Sequence, residues 1–250
     1  MTPGDEASPV LLHVPHAGTE IPPWTRPHLL LDDDELAAEL AALTDQRTDE
    51  VAAAAADGAR VRPWLLVNPV SRFVVDVERF PDEREEMTAV GMGAVYTHGT
   101  CGQRLRDDDP AHHDALLAAF YVPWAAAVEQ AVQQRIAATG RAVLLDVHSY
   151  PRDPLPYERP GEQGRARPRP AVCLGTDAAH TPAWLVQAAR RAFGPNIALD
   201  SPFAGSYVPL SRHGIDDRVL SLMVEIRRDV HLADPAGAGR ALANLVDAVS

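Results

Sequence analysis

The most informative segment of the chain is Ala142-Val143-Leu144-Leu145-Asp146-Val147-His148-Ser149-Tyr150, which lies between Gly140 and Pro151. A short apolar run bounded by turn-forming residues predicts a buried strand. In open α/β sheets, reactive groups collect beyond the carboxyl ends of the strands. We therefore expect Asp146 and His148 to lie at the carboxyl edge of a sheet, where functional sites form.

The start of the chain repeats this arrangement. The run Val10-Leu11-Leu12-His13-Val14-Pro15 leads into His16-Ala17-Gly18. Taken alone, His16 has an equally good explanation as a structural histidine that is bonded to a turn carbonyl. Taken together, two strand ends that each finish in a histidine predict one metal ion held between two loops.

Length and composition indicate a single globular domain. The chain has 250 residues, of which 46% are hydrophobic and 23% are charged, and a chain of this kind can bury a full core. The sequence contains no internal repeat and no clear linker. We therefore expect one domain over residues 1–250.

Charge and cysteine content narrow the class of protein. The formal net charge of −12 argues against a general nucleic-acid binder, which needs a basic face, and means that local arginines must meet any small anionic substrate. The two isolated cysteines, Cys101 and Cys173, suit a reducing cytoplasm. No signal pattern and no apolar stretch of about 20 residues is found, so we expect a soluble protein without membrane contact.

Strand-like and helix-like patterns alternate along the chain, which is typical of an α/β fold. We predict strands at residues 10–14, 61–67, 73–77, 142–145, 171–174 and 219–226. We predict helices beginning near residue 32 and over about 48–58, 111–139, 181–193 and 234–249, and the stretch 111–139 is either one long helix or two that break at Pro123. The proline-rich segment Pro151–Pro170 predicts either an extended active-site loop or a disordered flap.

Two carboxylates have both a structural and a functional interpretation. Asp45 lies between two predicted helices, and its spacing favours a helix boundary with a cap at Thr48 or Asp49. The functional alternative makes Asp45 the third ligand of a zinc site with an open position for water. Glu225 closes an apolar run, where a buried carboxylate is costly unless it is paired or used. It is either ion-paired with a neighbouring arginine or a general base with a raised pKa.

Several other polar residues have weaker signals. Arg72 and Arg79 bracket the predicted strand Phe73–Val77. Their spacing places them on opposite sides of a regular strand, unless a turn near Pro81 redirects Arg79. Arginine is well suited to capture a substrate carboxylate. The alternative is that both arginines are simply exposed at the surface, as most single arginines are. The segment His112-His113-Asp114 looks like a metal cluster but opens a helix, so we expect it to be solvated.

Taken together, these segments resemble the N-formylglutamate amidohydrolase family, whose members are also called N-formylglutamate deformylases. The motifs follow the order of the family from residue 10 to about 232, and six in register are fairly specific. They are Val14–Gly18, the pair Asp45 and Asp49, Ser71–Asp76, Asp146–Ser149, Pro202–Gly205 and Val224–Ile226.

The resemblance implies a fold similar to that of the zinc carboxypeptidases, with a mixed, mostly parallel sheet flanked by helices. It implies that His16, Asp45 and His148 hold one divalent metal ion, with zinc favoured. It implies that Glu225 is the catalytic base and that Arg72 and Arg79 hold substrate carboxylates. The default reaction is hydrolysis of N-formyl-L-glutamate to formate and L-glutamate, with Glu225 passing a proton from the attacking water to the departing amine.

Two departures from the family pattern bear on the substrate. Glu78 places a negative charge where better-known members have asparagine, and Gly91–Thr97 differs from the expected form. Hydrolysis of another N-acyl amino acid or of a short peptide is therefore an alternative function. A non-catalytic protein that binds an acidic metabolite is a second alternative, although a pure binder has no need of a base beside a metal.

Overall fold

The computed structural model describes residues 1–158 and 169–250 and has a six-stranded sheet at its centre. The strands are β1 (Val10–Val14), β2 (Trp64–Val67), β3 (Ala142–Tyr150), β4 (Val172–Gly175), β5 (Ile197–Leu199) and β6 (Val219–Arg227). Their order is β2-β1-β3-β6-β4-β5, and only the β4–β6 pair is antiparallel. The prediction of a mixed, mostly parallel sheet flanked by helices is confirmed.

Helices cover both faces of the sheet. They are α1 (Asp33–Leu43), α2 (Thr48–Gly58), α3 (Pro110–Leu116), α4 (Val122–Thr139), α5 (Ala183–Phe193), α6 (Arg228–Ala233) and α7 (Pro235–Val249), and a turn of π-helix over Leu117–Tyr121 joins α3 to α4. On α1, Asp32 and Glu35 form a reciprocal capping box, which satisfies two backbone N–H groups at the start of the helix.

Alternate residues of the central strands face opposite helix layers. Leu12 and Leu145 belong to the core that α2, α5 and α7 cover, whereas Leu11 and Leu144 pack against α4. On the first face, α2 and α7 pack closely where Gly239 has no side chain. A Cβ added at Gly239 would lie only 2.9 Å from the Cβ of Ala54. The carboxyl ends of β1, β3 and β6 therefore lie side by side between two well-packed helix layers.

The helical stretch Pro110–Thr139 is the part of the described chain with the length and composition of a membrane span. Core helices of water-soluble proteins pass the same test. In this fold, Val128, Val132 and Ile136 of α4 pack against the sheet, as expected of a helix in a layered α/β domain. The stretch therefore does not identify a membrane protein.

The predicted strand over Phe73–Val77 is wrong. The segment forms turns, in which Val74 donates a hydrogen bond to Ser71 and Asp76 donates one to Ala94. Its three valines are buried in a cluster with Leu116 and Tyr121 instead of within a sheet. The apolar pattern correctly indicated burial, but burial under loops and a helix leaves the same pattern as burial in a strand.

Smaller differences concern element ends and the loop after β3. The strand predicted to begin at residue 61 begins at Trp64, and the predictions did not include β5 and α6. His112 is buried and its ring stacks on that of His28 at 3.7 Å, so the expectation of a solvated segment is wrong for this residue. The lid or flap predicted over Pro151–Pro170 falls mainly on residues 159–168, which lie outside the described residues.

Candidate active site

Three side chains from distant parts of the chain meet where β1 and β3 end. His16 lies two residues beyond β1, and His148 lies near the carboxyl end of the neighbouring β3. Asp45 lies in the turn between α1 and α2, where its backbone N–H donates a hydrogen bond to the carbonyl oxygen of His16. The structure thus brings together the three residues that the resemblance assigns as metal ligands.

The side chain of Asp45 does not cap the helix that follows it. Arg47 occupies the N-cap position of α2 without a side-chain capping bond, and Thr48 hydrogen-bonds to the carbonyl oxygen of Asp45. The carboxylate of Asp45 is turned toward His148, with 3.0 Å between Oδ2 and Nδ1. The interpretation of this turn as a cap at Thr48 or Asp49 is therefore wrong.

The three side chains have the geometry of a metal site. His16 Nδ1 lies 3.3 Å from His148 Nδ1, and Asp45 Oδ2 lies 3.0 Å from His148 Nδ1 and 3.8 Å from His16 Nδ1. Ligands in tetrahedral coordination with bonds of about 2.0–2.1 Å are about 3.3 Å apart. All three residues are buried, and two imidazoles with one carboxylate are a donor set typical of catalytic zinc. The residues therefore fit one divalent metal ion.

A buried carboxylate lies behind each of the two histidines. His16 Nε2 is 2.9 Å from Asp76 Oδ1. His148 Nε2 is 3.0 Å from Asp146 Oδ1 and 3.3 Å from Glu78 Oε2, although neither contact has the direction of a good hydrogen bond. Metal-binding histidines usually face a carboxylate or carbonyl with the ring nitrogen that does not bind the metal. Both rings therefore present Nδ1 to the candidate metal site.

Asp76 is the centre of a hydrogen-bonded group beside His16. Its Oδ2 accepts hydrogen bonds from Arg72 Nη2 at 2.7 Å and from the Tyr96 hydroxyl at 2.6 Å. Burial alone would raise the pKa of Asp76, but the Arg72 guanidinium and His16 outweigh burial and hold this pKa well below its ordinary value. Asp76 is thus a permanent anion that accepts a hydrogen bond from the Nε2–H group of His16.

Arg72 and Arg79 both approach Asp76 and line the same cavity, because their segment turns and is not a strand. Arg72 uses Nε and Nη2 on Asp76, and its Nη1 has only a 3.5 Å contact with the carbonyl oxygen of Leu43. Arg79 is less engaged, with Nε 3.8 Å from Asp76 and Nη1 3.5 Å from Glu85. Opposite sides are expected only of a regular strand, and the turns in this segment leave the alternative of a redirected Arg79. Arg79 is the freer of the two guanidinium groups.

Glu225 lies in the register position beside His148 on the adjacent strand β6. The ion pairs that would explain it as a structural residue are not formed, since Arg227 bonds to Asp229 and Arg228 donates to backbone carbonyls at the end of α1. Among the described residues, no group hydrogen-bonds to Glu225 Oε2. The residue as a whole is nevertheless 9% exposed and lines the same cavity as the candidate metal site.

Burial strongly raises the pKa of the Glu225 carboxyl group. Desolvation is the main cause, and the nearby Asp45 carboxylate adds to it, so that the pKa rises from 4.5 to about 8 despite the opposing charge of His148. A carboxyl group that holds a proton near neutral pH, and that has no partner of its own, can take up and release a proton at modest cost. This is the property required of a general base.

Glu78 faces the histidines. Its Oε2 is 3.6 Å from His16 Nδ1 and 3.3 Å from His148 Nε2, and its Oε1 is 3.4 Å from His13 Nδ1. Opposing effects act on this carboxyl group: burial and Asp146 raise its pKa, but the histidines outweigh them and lower it. The substitution noted in the sequence therefore adds a negative charge directly at the site.

Behind Asp146 lies a third histidine, His13, which does not line the cavity. His13 is fully buried in β1, with Nδ1 2.8 Å from Asp146 Oδ1 and Nε2 3.2 Å from the indole nitrogen of Trp124. Burial lowers the pKa of His13, but its hydrogen bonds to the carboxylates of Asp146 and Glu78 outweigh burial and raise the pKa to about 9. The indole N–H of Trp124 can only donate a hydrogen bond, so it needs a lone pair on His13 Nε2. Because of this contact we assign His13 as a neutral ring without a proton on Nε2.

Sequence reasoning did not assign a role to Asp76, Glu78 or His13. Each lies in or beside an apolar run whose neighbours are fully buried. A charged or polar residue in such a run was the signal that singled out Glu225. The same signal applies to Asp76 and His13, and it would have marked both as candidates.

The site opens into a cavity of about 840 Å³. Asp45, Glu225 and both arginines line it together with the metal-site histidines. Aromatic side chains from several loops complete the wall, namely Phe80, Tyr121, Tyr150, Tyr157, Phe203 and Tyr207. The cavity therefore combines a candidate metal site, a carboxyl group that no other described residue pairs with, and cationic groups.

Comparisons with known proteins agree with this architecture. The sequence profile of a family described as N-formylglutamate amidohydrolase matches residues 8–232. The crystal structure of N-formylglutamate amidohydrolase from Ralstonia eutropha JMP134 is 21% identical with a TM-score of 0.79, and the match covers 99% of this chain and 94% of that one. A gene product of Agrobacterium tumefaciens is 23% identical with a TM-score of 0.71, over 98% and 92% of the two chains. No curated protein sequence matches the chain.

Proposed function

Because the chain belongs to the N-formylglutamate amidohydrolase family, we propose that it hydrolyses the amide bond of an N-acyl amino acid in a metal-dependent reaction. N-formyl-L-glutamate is the default substrate, with formate and L-glutamate as products. One observation carries the proposal: a buried carboxyl group with no partner among the described residues lines the same cavity as the convergent histidine and aspartate side chains.

The candidate metal ligands are His16, Asp45 and His148, and zinc is the favoured ion because of their donor set. A bound divalent ion at this place would polarise the substrate carbonyl and acidify a water molecule. Asp76 and Asp146 support this arrangement, since each lies behind the Nε2 of one histidine and leaves its Nδ1 available.

Glu225 is proposed to transfer the proton. In its ionised form it accepts a proton from the attacking water, and in its neutral form it returns this proton to the departing amine. The raised pKa favours this exchange because both forms of the carboxyl group are accessible near neutral pH. Its position beside His148 places it at the edge of the candidate metal site.

Arg79 and Arg72 are proposed to hold the substrate carboxylates. Both line the cavity, and they provide the local positive charge that a chain with a net charge of −12 otherwise lacks. Arg79 has no close ion pair and can turn toward a ligand. Arg72 has only Nη1 to offer, because Asp76 holds its other nitrogens.

Formate release tests the proposal directly. Zinc-loaded protein should release formate from N-formyl-L-glutamate, and a chelated sample should not. Glu225→Gln should lower kcat by roughly 10²- to 10⁴-fold, because the base is lost while its volume is kept, and zinc content should not change. Glu50→Gln is the matched control, since this carboxylate lies on the exposed side of α2.

Two results would contradict the proposal. Full turnover by the Glu225→Gln protein would remove Glu225 from the mechanism. Formate release that is unaffected by a chelator, from protein shown to be free of metal, would remove the metal. Binding of N-formyl-L-glutamate without any turnover would favour the alternative of a non-catalytic metabolite-binding protein.

A larger acyl group or a short peptide is the second candidate substrate. Cavities of roughly 300–1,000 Å³ hold drug-sized ligands, and this one measures about 840 Å³ with six aromatic rings in its wall. Glu78 adds a charge that repels an acidic ligand. Turnover of N-acetyl or N-benzoyl amino acids above that of the formyl compound would favour this candidate.

We also propose that the protein works in the cytoplasm, acts on a small anionic molecule and contacts neither nucleic acid nor a membrane. Its two cysteines are free thiols, as expected in a reducing compartment. Its negative net charge opposes binding to nucleic acid and to anionic lipid. Fractionation of cells that express a tagged chain tests the location.

A further inference from the structure

The residues behind His148 form a second group with metal-ligand chemistry. His13, Glu78 and Asp146 each offer a ligand atom within 4.8 Å of the others. Their position next to the first candidate site suggests two explanations. Either they hold a second metal ion, or they hold the first site in shape.

The contact of His13 with Trp124 distinguishes the two explanations. The Trp124 indole N–H is directed at His13 Nε2 over 3.2 Å, and an indole nitrogen can only donate. Nε2 must therefore carry a lone pair, and the ring proton must be on Nδ1, which donates to Asp146 Oδ1 at 2.8 Å. A metal ion on Nδ1 would displace this proton and leave an anionic ring in a fully buried position.

Packing fixes the His13 ring in this orientation. The ring is stacked between Trp124 and Tyr207, with centroid distances of 5.6 and 4.8 Å and interplanar angles of 30°. The backbone N–H of Tyr207 donates to Asp146 Oδ2 at 3.4 Å. Both oxygens of Asp146 therefore accept hydrogen bonds from groups that cannot turn away.

We propose that Trp124, His13 and Asp146 form a hydrogen-bonded chain that positions His148, and that His13 is a positioning residue and not a ligand of a second metal ion. Asp146 Oδ1 lies 3.0 Å from His148 Nε2 without the direction of a good hydrogen bond, and the negative charge of the carboxylate at this distance favours a proton on that nitrogen. The lone pair of His148 is then on Nδ1, which faces His16 and Asp45. The inference rests on the metal site of the proposed function.

Zinc binding in the absence of substrate tests the chain. His13→Ala should weaken zinc affinity about 10-fold or more, as is usual when a residue that orients a metal ligand is lost. His13→Asn should retain near-normal affinity, because its side-chain amide can donate to Asp146 from the place of Nδ1. Trp124→Phe keeps the ring packing and should give a smaller loss in the same direction. Trp64→Phe, whose indole bonds to Asp5 far from the site, is the matched control.

The histidine tautomer gives a second readout that needs neither metal nor activity. Two-bond ¹H–¹⁵N correlation spectra of the metal-free protein should show the His13 proton on Nδ1, and Trp124→Phe should change the Nε2 signal. A proton on Nε2, or normal zinc affinity in both His13→Ala and Trp124→Phe, would overturn the proposal. Two zinc ions per chain, one of them lost in His13→Asn, would instead establish a second metal site.

These outcomes are separate from those of the proposed reaction. Absence of formate release would contradict N-formyl-L-glutamate as the substrate in the proposed function and would leave the zinc affinities and tautomers as they are. If His13→Ala does not fold, Trp124→Phe and His13→Asn still decide the question. A loss of zinc affinity in Trp124→Phe that exceeds that of Trp64→Phe supports the chain, and equal affinities in the two variants overturn it.

Discussion

His16 and His148 present the same ring nitrogen to the candidate metal site, but the carboxylate behind each ring is held in a different way. Behind His16, Asp76 is paired with the Arg72 guanidinium and with the Tyr96 hydroxyl. This half of the site is an ion pair. Its hydrogen bonds are short and its charges are fixed, since an arginine does not lose its proton in proteins.

Behind His148, the carboxylate of Asp146 has neutral donors. His13 and the backbone N–H of Tyr207 hydrogen-bond to it, and Trp124 fixes the His13 ring from the other side. Among the described residues, no arginine or lysine forms a salt bridge with Asp146. This half of the site therefore depends on ring packing and tautomer.

The difference predicts which property a substitution in each half should affect. Removal of the cation from a buried ion pair leaves an uncompensated charge, which is strongly destabilising. Removal of a neutral donor lowers the order of a ligand but leaves no new net charge. We therefore expect variants of the His16 half to affect folding first, and variants of the His148 half to affect metal affinity first.

The largest expected effect is on the ion-paired half. Arg72→Met should lower the free energy of unfolding of the metal-free protein by roughly 3–5 kcal/mol, because Asp76 keeps its charge in a fully buried position. Urea denaturation measures this loss. His13→Asn should lose much less, since it keeps a donor for Asp146.

A second substitution separates the charge effect from lost packing. Asp76→Asn in the Arg72→Met background removes the stranded charge and still offers His16 Nε2 an oxygen acceptor. The double variant should regain more than half of the lost stability, as a double-mutant cycle would show. A loss below about 1 kcal/mol for Arg72→Met alone would mean that another group compensates Asp76 and that the two halves do not differ as described.

Glu225 extends the comparison to a buried carboxyl group that has no partner in the described part of the chain. Its pKa is about 8 in the folded chain against an ordinary 4.5, so the folded state holds the proton more tightly than the unfolded chain does. The resulting stabilisation is complete below about pH 4.5 and is lost as the pH rises toward 8. Glu225→Gln cannot ionise and should therefore be the more stable protein at pH 8.

Denaturation of the metal-free proteins at pH 5 and pH 8 measures this effect. The advantage of Glu225→Gln should grow by about 2–4 kcal/mol between the two pH values, given about 1.4 kcal/mol per pKa unit. Glu39→Gln is the buried control, because Thr100 and Gln103 hydrogen-bond to that carboxylate, and it should not stabilise the protein at pH 8. An advantage that is independent of pH would show that Glu225 keeps an ordinary pKa.

The fold could be predicted from the sequence because its signals are local. The apolar runs of β1, β3 and β6 are bounded by turn residues, and each of the three strand ends carries a polar residue that the structure places at the site. His148 and Glu225 were therefore accessible to reasoning about single segments. The position of β4 next to β6 in antiparallel orientation has no comparable local signal.

The rest of the site depends on contacts between distant segments. Asp45 reaches His148 across 103 positions of the chain, and local spacing suggested a helix boundary there. Asp76 and Glu78 lie in a segment whose apolar pattern resembles a strand but whose backbone turns, so their directions could not be derived from alternation. His13 acquires its partner Trp124 only when α4 packs on β1.

The smallest expected effect concerns the arginine that lies outside the ion pair. Arg79→Ala should raise KM for N-formyl-L-glutamate by about 10- to 100-fold, which corresponds to the roughly 1.5–3 kcal/mol of a hydrogen bond to a charged group. Its effect on the free energy of unfolding should stay below about 1 kcal/mol, because its ion-pair contacts are long and its side chain is 30% exposed. Arg191→Ala, on the exposed side of α5, is the control.

A second substrate shows which carboxylate Arg79 holds. N-formyl-L-glutamine lacks the side-chain charge, so an Arg79 that binds this carboxylate should matter for the glutamate compound and hardly at all for the glutamine compound. Equal losses with both substrates would assign Arg79 to the α-carboxylate. An unchanged KM with both would return substrate binding to Arg72, whose Nη1 is the one nitrogen that Asp76 leaves available. In that case one guanidinium would serve both the His16 half and the substrate, and the division between a structural and a binding arginine would not hold.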